Sequence, residues 1–204
     1  LKDDTFIAAI SRSGTNGNRC FLQHFSENGF PLPEPTSDPL PDLPIDLGRD
    51  QSGRLYVVGV GNSYNGVFRD PSDFELHGRG SIARYHADGR RDTNFSTKVE
   101  ITDARIFFDE NGSFWLGGAF QVYSNAPLSS GVNSSVLRKG FARFKEDGSL
   151  DPEVKTVFNN SVKAVARAAD GSFLVAGSFT TVNDQPYAGL VRLTAAGVLD
   201  PQFR

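Results

Sequence analysis

Histidine is the side chain best suited to proton transfer near neutral pH, and the chain has three, His24, His77 and His86. None stands at metal-ligand spacing such as His-x-x-x-His. The single cysteine, Cys20, excludes an intrachain disulfide framework and reads as a bland, partly buried thiol. Acidic turns such as DENGS (109–113) and EDGSLD (146–151) supply one or two carboxylates each. A calcium loop converges more, and Asp-Gly is ordinary turn chemistry. The glycines of GVGNSYNG (59–66) open no helical pattern, so they do not read as a phosphate loop. The most regular charged pattern is an arginine with an aspartate eight residues later: Arg84–Asp92, Arg143–Asp151 and Arg192–Asp200. Opposite charges at constant spacing either act together on a substrate or tie two elements together. These patterns predict no catalytic residue, metal site or cofactor.

The choice between those roles depends on the elements that carry the residues. Two phrases recur in the same order: GSFWLGGAF (112–120) with GFARFKEDGSLDPEV (140–154), and GSFLVAGSF (171–179) with GLVRLTAAGVLDPQF (189–203). Turn glycines anchor the repeat at Gly53, Gly112 and Gly171, with Asp4 in the same place, and again at Gly29, Gly89, Gly148 and Gly197. The distances from first to second anchor are 25, 36, 36 and 26 residues. Four units of about 49 residues follow, the middle two longer at one place: 1–36, 43–96, 100–154 and 161–204.

Each unit reads as four strands. Strand a, as in SVKAVARAA (161–169), carries the column Leu47, Ile106, Val165. Strand b carries Phe6, Leu55, Phe114, Phe173, and strand c carries Leu22, Ile82, Phe141, Leu190. Strand d is short and holds Pro33, Pro152 and Pro201 in one column, with Thr93 as the exception. Proline cannot donate to a sheet ladder, so d is an edge strand and a is the inner one. Sheets repeated along the chain, inner strand first, predict an all-β fold of β-propeller blades. The expected array has four blades of four antiparallel strands. The first lacks its inner strand, and the whole forms an arc of a larger propeller; a closed four-bladed ring is the alternative. Within this frame each arginine lies opposite its aspartate across the c–d hairpin, a structural ion pair. In unit one both members change together, to His24 and Leu32, as a structural pair requires. His86 shares a column with Lys145, a solvated position, which leaves His77 as the histidine with functional promise.

VKAVARAADGSFLVAGSFTTVNDQPYAGLVRLTAAGVLDPQF (162–203) resembles a unit of the delta-60 repeat family, a propeller-type repeat found mainly in large bacterial surface or secreted proteins. The resemblance covers the chain, best in the last unit and weakest in the first, where NGFPLPEP (28–35) replaces DGSLDPEV (147–154). It implies an extracellular or cell-surface setting, and the family carries no catalytic motif to transfer.

The irregular features are two insertions between strands b and c, at 61–80 and 120–140. Insertions on one face of a repeat array often build its binding surface. Laid over each other they match at Tyr64/Tyr123 and Arg79/Arg138, and tyrosine and arginine are favoured interface anchors. The candidate contact residues are Tyr64, Phe68, Phe74, His77, Arg79, Tyr123, Arg138 and Tyr187. The expected partner is a protein or glycan at the cell surface, or other chains or the rest of a parent protein completing the propeller. A binding or scaffold module is therefore expected, with a glycan-active hydrolase or lyase and a purely structural assembly module as rivals. Net charge −3 and 22% charged residues give no basic excess for nucleic acid. Apolar runs are strand-sized, below the roughly 18 residues of a membrane helix. The sequons NFS (94–96), NGS (111–113), NSS (133–135) and NNS (159–161) would place glycans on surface turns. With no methionine and no secretory signal, the chain reads as a processed or truncated piece.

Overall fold

The computed structural model describes residues 5–14, 17–32, 40, 43–60, 80–97, 99–123 and 136–203. Strands β1 (Thr5–Gly14) and β2 (Gly17–Ser26) form the sheet of unit one. In unit two β3 (Leu43–Arg49), β4 (Leu55–Val60) and β5 (Ile82–Tyr85) lie in that order, and in unit three β6 (Val99–Phe108), β7 (Phe114–Tyr123) and β8 (Val136–Phe144) repeat it. Unit four has β9 (Val162–Arg167) and β10 (Phe173–Gly177), then a small ribbon of β11 (Thr181–Val182) and β12 (Gln185–Pro186), then β13 (Leu190–Leu193) beside β10. All pairings are antiparallel, and no helix occurs among the described residues.

Strands a, b and c of the repeat are thus β3–β4–β5, β6–β7–β8 and β9–β10–β13. The fourth position is held by one bridge per unit: Phe25–Pro31, Tyr85–Arg91, Phe144–Leu150 and Leu193–Leu199. The chain leaves the sheet directly after it. Asp92, Asp151 and Asp200 each accept on Oδ1 the N–H two residues on, at 3.0, 3.0 and 2.9 Å. That turn, with proline following Asp151 and Asp200, ends the ladder. The insertion of unit three is in part a continued hairpin, since Gln121, Val122 and Tyr123 pair with Lys139, Arg138 and Val136.

Each a–b hairpin contains a bulge, at Pro44/Asp46, Ile101/Asp103 and Ala176/Gly177. Gly118 sits opposite the second with φ +144°, and a Cβ there would meet the Asp103 carbonyl oxygen at 2.4 Å. Only glycine allows the strands to approach so closely.

Alternation along the strands gives every sheet two apolar faces. The front face carries Ile7 in unit one, Tyr56 in unit two, Trp115 in unit three and Leu174 in unit four, each opposite His24, Arg84, Arg143 and Arg192. The back face carries Leu55, Phe114 and Phe173. Three cores join front to back in sequence. Ile7, Ala9 and Leu22 pack on Leu55, Val57 and Tyr85. Tyr56, Val58 and Ile82 pack on Ile106, Phe114 and Phe144. Trp115 and Phe141 pack on Phe173, Val175 and Val191. The fold is all-β and propeller-type, an open arc in which the first and last sheets share no core among the described residues.

Candidate functional site

Two constellations stand out, one at each end of the blades. At the end of the c–d turns, polar groups on the front faces lock one unit to the next. In unit two, Arg84 holds Asp92 at 2.7 Å, and both side chains are buried. Arg84 Nη1 also donates to the Tyr56 hydroxyl at 3.3 Å and to the Glu146 carbonyl in the turn of unit three. Its guanidinium lies 4.4 Å from the Phe95 ring centre. Arg54 bridges Asp50 at 2.7 Å within its own unit and Glu146 at 2.6 Å in the next.

In unit three the hub is Asp109. It accepts from Trp115 Nε1 at 2.9 Å and from Arg143 at 2.9 Å on one oxygen, and from Arg167 of unit four at 2.7 Å on the other. Arg143 reaches Asp151 at 3.3 Å, a longer contact than the one it makes with Asp109. Arg192 and Asp200 are 2.6 Å apart. The Asp109 hub escapes a reading by hairpin spacing because it joins different strands and different units. Its signal is a column: Asp50 and Asp109 precede the turn glycine by three residues where Tyr56 and Trp115 follow it by three. In unit four both positions are apolar, Ala168 and Leu174.

These locks titrate. Burial alone would raise the Asp92 carboxyl, but hydrogen bonds from Arg84 and the Asn94 N–H, with the Arg84 charge, hold it below its ordinary value. His24 is shifted down, first by burial and then by the Arg49 charge. Both shifts destabilise the fold in acid. A depressed histidine resists a proton that the unfolded chain accepts below about pH 6.5, and a depressed carboxylate does the same below about pH 4. Stability is expected to be level above neutrality and to fall in two stages on acidification. His24→Gln removes the upper stage alone, as thermal melts across the pH range would show; an unchanged upper stage contradicts the assignment.

At the opposite end, where b–c connections depart, a cleft of about 570 Å³ opens between units two, three and four. Val60, Ile101, Phe120 and Val162 supply its apolar part. Glu100, Thr102, Gln121, Lys139, Asn160 and Ser161 supply its polar part. Glu100 is buried, Lys139 Nζ donates to the Asn159 carbonyl at 3.4 Å, and Thr102 Oγ1 donates to the Ala119 carbonyl at 2.9 Å. Hydroxyls, amides, one carboxylate and one ammonium over an apolar floor suit a polar organic ligand. Among the described residues no group of three His, Cys, Asp or Glu side chains is placed to hold a metal. Two of the turn aspartates bond locally, Asp147 accepting from the Ser149 N–H at 2.8 Å and Asp170 from the Ser172 N–H at 2.9 Å, whereas Asp109 and Glu146 are held by arginines of other units.

Tyr64, Phe68, Phe74, His77 and Arg79 lie outside the described residues. Tyr123 ends β7, paired through its backbone with Val136, near the cleft residue Gln121. Arg138 Nε donates to the Val154 carbonyl at 2.8 Å, and Tyr187 packs against the core between units three and four. Cys20 is half-buried against the first core, and His86 is exposed at a turn. The Asn159 amide of the last sequon donates to Thr180 Oγ1 and accepts two backbone N–H groups at 2.9 and 3.0 Å, so a glycan there would break the join to the β11–β12 ribbon. The cleft residues were not singled out by sequence. Their signal was position, at the strand ends beside the insertions, rather than any motif.

No helix among the described residues is long and apolar enough to cross a membrane, which does not bear on β-barrels. No curated protein matches the chain. Residues 168–203 match the family model of a β-propeller domain of unknown function, DUF5122, and with the front-to-back stacking of the sheets this makes the repeat one of β-propeller type.

Proposed function

We propose that the chain is a non-enzymatic binding module of an extracellular or cell-surface protein, built of delta-60-type repeats, that holds a polar ligand of the saccharide kind on the face of the b–c connections. The observation that carries this reading is the cleft of about 570 Å³ at the end from which both insertions depart. Its described lining holds one carboxylate, Glu100, where glycoside hydrolysis by the usual route needs two. That favours holding a saccharide over cleaving it.

The fluorescently labelled chain is expected to bind members of an oligosaccharide array. Gln121→Ala and Lys139→Ala in the cleft, and Tyr64→Ala and Tyr123→Ala in the insertions, each weaken binding by about tenfold, the effect of roughly one hydrogen bond. A chain that binds no oligosaccharide, or folded variants that bind as the parent does, would overturn the proposal.

A further inference from the structure

The front face of unit four has the strand pattern of the fronts before it and no cover among the described residues. Leu174 and Leu190 are 40% and 49% exposed, whereas Trp115 and Phe141 in the same columns are fully buried by the next unit. Ala164 and Ala166 on β9 share the exposed face. The arginine of the lock is retained. Arg192 binds Asp200 through Nε and Nη2, as Arg84 binds Asp92, and its side chain is 41% exposed. Arg84 uses its remaining Nη1 on the carbonyl of Glu146, two residues before the turn glycine Gly148 of the next unit. Arg192 Nη1 has no partner among the described residues.

The back of unit one has the matching half. Ala8, Ile10 and Phe25 are half-buried on its strands. Its turn glycine, Gly29, has φ +78°, and nothing lies within 4 Å of a Cβ built there. The same turn is closed at Gly148 by Phe95 and Ser96, and at Gly197 by Trp115. Glu27 stands two residues before Gly29, as Glu146 stands before Gly148. The chain therefore presents the front of the junction that it builds three times internally and, of its back, the two strands β1 and β2.

We propose that the front of unit four is a docking face for the back of unit one of a second copy of this chain, joined head to tail. Leu174 and Leu190 pack on the β1–β2 sheet, and Arg192 Nη1 donates to the Glu27 carbonyl. Such a head-to-tail contact closes into a ring when its rotation fits. The inference is independent of the cleft.

Sedimentation of the chain over a concentration series is expected to show a monomer–dimer equilibrium. Leu174→Asp on the front and Ala8→Glu on the back each leave a monomer, and Arg192→Ala weakens the dimer. Asn28→Trp, on the exposed turn, repeats the back-face test without touching the β1–β2 ladder. Far-ultraviolet circular dichroism and thermal melts report that each variant is folded. Mixing the front and back variants restores a heterodimer, because each retains the face the other has lost. A chain that stays monomeric at every attainable concentration overturns the proposal. So does a dimer that Leu174→Asp abolishes and both back-face variants leave intact, since that pairing is front to front.

Discussion

Trp115→Ala is expected to cost about 3–5 kcal/mol, the range for emptying a large aromatic site in a core. Trp115 is fully buried and joins two units. Its ring stacks on Phe141 at 5.1 Å, meets Phe173 of unit four at 4.9 Å, and lies 5.5 Å from the Arg143 guanidinium. It also closes on the Gly197 turn, where an added Cβ would meet the ring at 2.7 Å. Alanine leaves a void beneath that turn and takes from Asp109 one of its three donors. Leu174→Ala, in the same column but on the uncovered face, is expected to cost under about 1 kcal/mol. Thermal and urea unfolding of the two variants measure the difference. Equal losses would mean that unit four does not pack on unit three.

Asp109→Ala is expected to cost about 3 kcal/mol, because one carboxylate satisfies three donors from two units. Its removal leaves the indole N–H at position 115 unpartnered and takes from Arg167 its side-chain partner; Arg143 keeps Asp151 at 3.3 Å. Asp151→Ala should cost less, since Arg143 then keeps its shorter contact with Asp109 at 2.9 Å. Combining Asp109→Ala with Arg143→Ala should cost less than the sum, because the contact the two side chains share at 2.9 Å is lost only once. Urea titrations give these values, and an Asp109→Ala loss below about 0.5 kcal/mol would remove the hub from the account.

The all-β class and the blade type were legible because a turn glycine and an alternating strand recur at fixed offsets, and each repetition tests the last. Local relations could be read too: a turn of known length relates Arg84 to Asp92. Relations between units were harder. Asp109 meets Arg167 across 58 positions, and no hairpin spacing relates them. Strand d was read as short, but its reduction to a single bridge was hidden, because its end depends on aspartate side chains turning back onto their own backbone. Arg138 looked like an exposed anchor because it fell in an insertion, whereas the b–c hairpin extends through it and turns it onto the Val154 carbonyl. The cleft has no sequence motif. It arises where three units meet, and a one-dimensional repeat does not show which strand ends become neighbours.

The central claim is that each unit's front face is buried by the turn and back face of the next. The chain has a single tryptophan, so one assignment tests it. Nuclear Overhauser contacts should connect the Trp115 six-membered ring to the Gly197 α-protons, which the ring current should shift strongly upfield. A Trp115 ring with no contact to Gly197 and an indole freely quenched by acrylamide in the folded chain would contradict the account.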